Sequence, residues 1–194
     1  MQVRSLHRLI GLVLLLPFLG WAVTGMVFFV KPGYGGAYEQ LGVKTYSLQS
    51  APLETSSSWQ EVRQLRTVLG HHVLARTAEG WQHLEGGTGA LRPPPDPEAL
   101  RQLLEDAFTV NPERYGSIVR IENDTVTTDT GVEVRLDWNR LSLQQRGSDT
   151  ALIDALYRVH YLQWTGVAAL DQILGLLGLG LLIVMTLLGA RLAL

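Results

Sequence analysis

Five histidines and no cysteine set the range of chemistry open to this chain. His71, His72 and His83 lie near one another in a stretch that reads as a hairpin. Three imidazoles can hold zinc or copper. Their spacing matches no established metal motif and no carboxylate pattern completes it, so strand histidines, partly exposed, are the plainer expectation. His7 and His160 stand at the edges of two apolar stretches, and ionisable groups near a membrane often mark function. The plainer expectations are an interface residue beside Arg4 and Arg8 for His7, and a hydrogen-bonded helix histidine at the domain–membrane junction for His160.

Other chemistries are excluded more firmly. Without cysteine there is no disulfide, thiolate nucleophile, cysteine metal site or c-type haem attachment. Ser117, Ser142 and Ser148 stand in no nucleophile elbow and beside no histidine. There is no P-loop and no dinucleotide fingerprint. A net charge of −2 gives no pull toward nucleic acid. No self-sufficient catalytic set emerges.

The elements that position these residues begin with the apolar stretches, residues 9–30 and 173–190, both free of charge. At about 1.5 Å per residue the shorter reaches about 27 Å, close to a bilayer's hydrocarbon thickness. The first is longer than a signal-peptide core and no small-x-small site follows it, so a retained anchor is expected. Pro17 should kink it near Val13. Arg4 and Arg8 before the first stretch and Arg191 after the second place both tails in the cytoplasm. The expected plan is a tail (1–8), a span (9–30), an extracytoplasmic domain (31–166), a second span (167–190) and a tail (191–194). Asp171 should cap the second span, with Tyr161 and Trp164 in the interfacial belt.

Between the spans, 43–48 has a short strand-like pattern. Ser58-Trp59-Gln60-Glu61 reads as a capping box, followed by Val62, Leu65 and Leu69 at helical spacing and a stop at Gly70. A hairpin over 72–77 and 80–84 comes next, then a Gly/Pro connector at 86–97. Asp96-Pro97 opens an amphipathic helix through Leu100, Leu103, Leu104, Ala107 and Phe108. Residues 117–122 form a strand. Val132, Val134, Leu136 and Trp138 alternate with polar residues in another, continued at Leu141 and Leu143. Glu122, Asp124, Asp129, Glu133 and Asp137 make its wet face acidic. A last helix starts at Ser148 or Asp149 and leads into the second span. The fold class expected is α+β, with helices packed on one face of an antiparallel sheet. Helix then hairpin occurs twice, an order that a duplication would give, although no residue-level repeat accompanies it.

Leu6-His7-Arg8-Leu9-Ile10-Gly11, with Thr24-Gly25 further on, resembles the first helix of bacterial PepSY-associated transmembrane proteins. Leu156-Tyr157-Arg158-Val159-His160, then Gly166 and Leu188-Gly189, resembles a later helix of that family. The strands at 132–138 and 141–143 behind the helix at 98–108 are similar to a PepSY module. The resemblance implies a bacterial inner-membrane protein with a periplasmic PepSY-like domain; larger members have about four spans, and this chain departs from them with two. Some relatives are associated with iron–siderophore reduction and haem, and others with protease inhibition. His7 and His160 match the motif histidines, so haem b ligation is what the resemblance implies for them. Haem needs its axial ligands at one depth, and these two belong to opposite membrane edges, so a second chain would have to complete such a site. The leading expectation is a non-catalytic accessory or assembly subunit of an inner-membrane complex. Its partners would be the lipid bilayer and other membrane subunits or a second copy, with no nucleic acid. The alternatives are a small haem-b electron-transfer subunit for ferric-siderophore or quinone reduction, and a tethered peptidase-binding module.

Overall fold

The computed structural model describes residues 3–48, 56–86 and 88–193. It divides into a helical unit, running to Gly35 and resuming at Asp149, and a lobe of Gly36–Ser148. Gly87 of the expected connector, and residues 1, 2 and 194 of the expected tails, lie outside the described residues.

The helical unit contains α1 (Val3–Val30), α5 (Ser148–His160) and α6 (Ala168–Ala193). α1 and α6 are the two described helices long and apolar enough to cross a membrane, and α1 is helical straight through Pro17. They run antiparallel at small-residue contacts. A methyl group on Gly11 would lie 3.7 Å from Met185 Sδ, and one on Gly189 only 3.2 Å from His7 Cε1. Close approach between helices in lipid depends on such residues. α5 packs on the same helix: Gly20 faces Val159, and Phe28 stacks on Tyr157 at 4.5 Å. The sequence expectation assigned α5 to the lobe, but its ring contacts are with α1. Much of α1 and α6 faces outward with apolar side chains, such as Leu16 (75% exposed) and Leu176 (72%), as lipid-facing helices do.

The lobe holds two antiparallel meanders. β1 (Glu61–Thr67), β2 (Gly70–Thr77) and β3 (Gly80–Leu84) form one sheet; β4 (Ile118–Glu122), β5 (Thr125–Thr128), β6 (Glu133–Asp137) and β7 (Ser142–Arg146) form the other. α2 (Tyr34–Ala37) and α4 (Pro112–Tyr115) are single turns, and α3 (Pro97–Phe108) precedes β4.

The helix expected over 58–70 is strand β1. Its apolar spacing fits a helix, but β2 is buried on both faces and needs a hydrogen-bonding neighbour. β1 supplies it from Glu61↔Arg76 to Thr67↔Gly70. Tertiary pairing overrides local propensity here. Gly70, read as a helix stop, takes φ +95 at the hairpin instead. Ser58, expected as the cap, donates its N–H to Ser56 Oγ in a local turn rather than capping a helix. Helix-then-hairpin therefore occurs once. The stretch 43–48 makes only isolated bridges, Gly42↔Ser142 and Tyr46↔Arg66 lying at and beside it.

α3 is the expected amphipathic helix. Asp96 accepts from Ala99 N at 2.8 Å, and Leu100, Leu103, Leu104, Ala107 and Phe108 are buried. With Leu74 of β2 and Val126, Val134 and Leu136 of the second sheet they form the main core. Val73, Ala75 and Leu84 form a smaller cluster on the other face of the first sheet. The expected acidic face is charge-mixed: Arg135 holds Asp124 at 2.8 Å and keeps its carboxyl below the usual range.

Candidate functional site

In the helical unit, the last turn of α5 brings His160 against α1. His160 Nδ1 lies 2.9 Å from Thr24 Oγ1, and that hydroxyl lies 2.7 Å from the carbonyl of Gly20. A carbonyl only accepts, so the Thr24 hydroxyl donates to Gly20 and accepts from His160 Nδ1–H. This assigns the tautomer and leaves Nε2 as the nitrogen carrying a lone pair. Trp21, Phe28 and Tyr161 surround the imidazole, with centroids 5.7, 5.0 and 5.5 Å away. The ring lines an apolar cavity of about 270 Å³ together with Leu14, Pro17, Gly178 and Leu182.

His7 is at the far end of α1. Its Nδ1 is buried without a hydrogen-bond partner among the described residues, and its ring packs on Gly189. From His7 to Thr24, which holds His160, is seventeen residues of helix, about 25 Å. Asp171, expected to cap α6 from just before it, lies inside its first turn and instead holds the preceding turn, accepting from Thr165 N at 2.9 Å and Thr165 Oγ1 at 2.8 Å.

In the lobe, the pleat separates the three hairpin histidines. His72 and His71 are consecutive on β2 and point to opposite faces. His83 stands opposite Leu74 in the β2–β3 register, so it shares the face of His72. Both rings are buried, with His72 Nδ1 2.9 Å from His83 Nε2. The chain continues at both ends. Thr67 Oγ1 is 2.7 Å from His72 Nε2, and His83 Nδ1 is 2.9 Å from the carbonyl of Trp138. That carbonyl requires Nδ1–H on His83. With both rings neutral, His83 Nε2 then accepts from His72 Nδ1–H, and His72 Nε2 accepts from the Thr67 hydroxyl; Arg92 Nη1, 3.1 Å from the same His72 Nδ1, then faces an N–H and makes no hydrogen bond to it. Burial first, and the nearby Arg92 guanidinium second, push His72 down to about 3. Burial likewise pushes His83 down to about 4, against the Trp138 carbonyl, which raises it. Arg92 donates to the carbonyls of His71 and Leu69, and its own carbonyl accepts from Trp138 Nε1. His71 enters this network only through its backbone. Among the described residues no group of three or more histidine or acidic side chains is placed to hold a metal ion.

Thr24 stands in the family-like motif and Trp138 in the alternating strand, but the sequence assigns no site role to either, nor to Thr67 or Arg92. A lone threonine among glycines in an apolar helix was a signal for the first. An arginine in a Gly/Pro connector carried none for Arg92.

A protein-family model described as the PepSY-associated TM region matches residues 2–193. The chain belongs to that family. Neither the curated proteins nor the solved structures searched contain a match to it. As a PepSY-associated protein it combines two candidate membrane helices with an α+β lobe.

Haem is the cofactor the family resemblance implies, and the residues of one PepSY-associated chain do not fit it as a bis-histidine site. His7 and His160 are about 25 Å apart along α1. The cavity beside His160, about 270 Å³, is below the usual range of ligand pockets, roughly 300–1,000 Å³. His160 on its own has the local form of a ligand, with one nitrogen pinned by a hydrogen bond and the other carrying its lone pair.

Proposed function

We propose that this chain is a non-catalytic accessory or assembly subunit of a bacterial inner-membrane complex, with both termini cytoplasmic and the lobe periplasmic. Arg4, Arg8 and Arg191 flank the spans and support that orientation. The observation that carries the reading is that the two buried histidines of the lobe are used up internally. Both nitrogens of His72 and the Nδ1 of His83 hold the lobe together, and the remaining Nε2 faces His72. The outward apolar faces of α1 and α6 support membrane partners, whether other subunits or a second copy. Purification of the full chain from its native membrane in mild detergent tests this. Stable co-purifying membrane proteins are expected; a partner-free monomer with an enzymatic activity contradicts it.

A second reading is a haem-b electron-transfer subunit serving ferric-siderophore or quinone reduction. One observation favours it: the lone pair on His160 Nε2 in an aromatic, apolar surround. The second axial ligand would come from another chain. A visible spectrum decides. A Soret band lost in His160→Ala supports this reading, and a colourless folded protein removes it.

A further inference from the structure

The elbow between α5 and α6 carries two adjoining cavities of opposite character. The lower one, beneath His160, is apolar and runs along α6 from Gly175 to Leu182, seven residues or about 10 Å. The upper one is lined by Arg158, Gln163, Trp164, Asp171 and Gln172. Tyr161 and Gly175 line both, so the two cavities adjoin along this edge. Gly175 stands at this shared edge with open space around it: a methyl group there would meet nothing within 4 Å. Trp164 is fixed as a wall by its Nε1–H donating to the carbonyl of Val159. Tryptophan and tyrosine at the end of a span mark headgroup depth.

Two charges line the upper cleft. Arg158 makes no ion pair with a described residue, and a guanidinium fork suits a phosphate. Asp171 holds the Thr165 backbone and hydroxyl and adds one negative charge. We propose that this site binds one membrane phospholipid of the phosphatidylethanolamine type. Its phosphate meets Arg158, its primary ammonium meets Asp171 and the glutamine amides, and one acyl chain fills the apolar slot. A zwitterion leaves the cleft neutral. A purely anionic head sets a second negative charge beside Asp171, and a choline head has no N–H to donate. An isoprenoid quinone would use the slot and its carbonyl would accept from Arg158, but it brings no cation to Asp171.

The test is native mass spectrometry of the full chain after reconstitution in three vesicle compositions. These are phosphatidylcholine alone, the same with phosphatidylethanolamine, and the same with phosphatidylglycerol. One retained phosphatidylethanolamine per chain is expected, with retention falling about tenfold in Arg158→Gln. Gly175→Leu, a change that favours helix and has room for its Cβ, should abolish retention while circular dichroism stays unchanged. Equal retention from all three mixtures, preference for phosphatidylglycerol, or retention undiminished in either folded variant overturns the proposal.

Discussion

His72 and His83 meet ring to ring, Nδ1 to Nε2 at 2.9 Å, and neither imidazole is reachable from solvent. The contact ties β2 to β3. Through the Trp138 carbonyl it reaches the turn between β6 and β7, so one proton-ordered chain spans the two sheets. Such a chain works only while both rings stay neutral.

The lobe should therefore lose stability in mild acid. Folded values of about 3 and about 4 lie below the ordinary 6.5. Above pH 6.5 both folded and unfolded rings are neutral and stability is at its full value. As pH falls below that, the unfolded chain takes up protons that the folded lobe refuses. Stability then drops by about 1 kcal/mol per pH unit for each histidine, until the folded values are reached. Hydrogen exchange of β2 and β3 amides across pH 7 to 4 measures this, and His72→Gln should flatten the slope.

Arg92→Ala should destabilise the lobe by about 2–4 kcal/mol, because it strips donors from the carbonyls of His71 and Leu69. Arg92→Lys should recover only part of that, since an ammonium cannot reproduce the planar fork. Urea midpoints of the full chain in detergent check both.

Gly116→Ala should cost about 1–3 kcal/mol. Gly116 has φ +55, and a methyl there would overlap Asp129 Oδ1, which accepts from Ser117 N at 2.9 Å. The same urea series checks it, and an unchanged midpoint would show that the turn relaxes freely.

Thr24→Val should leave the shape of α1 intact but remove the acceptor for His160 Nδ1–H, costing about 1–2 kcal/mol. Thr24→Ser should restore it. Thermal unfolding in detergent reads the stability, and nitrogen-15 shifts of the imidazole read whether the Nδ1–H tautomer is lost.

Much of this architecture is legible in the residues. The spans declare themselves by unbroken apolar runs, α3 by its cap at Asp96 and its i, i+3, i+4 leucines, and β6 by strict alternation. β1 misleads because Val62, Leu65 and Leu69 satisfy a helical period, while what decides is the need of β2 for a partner. β5, a short run of threonines about Val126, has too few apolar positions for its pattern to announce a strand. The histidine network was half visible. The hairpin brings His83 near His72, but the pleat that turns His71 away, and the meeting with Trp138 and Arg92, are set by tertiary packing.

The subunit role rests on which side of the membrane the lobe occupies. The chain lacks cysteine, so single cysteines placed at exposed Ser5, Arg120 and Ala193 can be labelled in intact cells with a membrane-impermeant maleimide. With the lobe periplasmic and both termini cytoplasmic, Arg120→Cys labels at once, while Ser5→Cys and Ala193→Cys label only after the membrane is opened. Labelling of either terminal position in intact cells, or protection of Arg120→Cys, would contradict that placement.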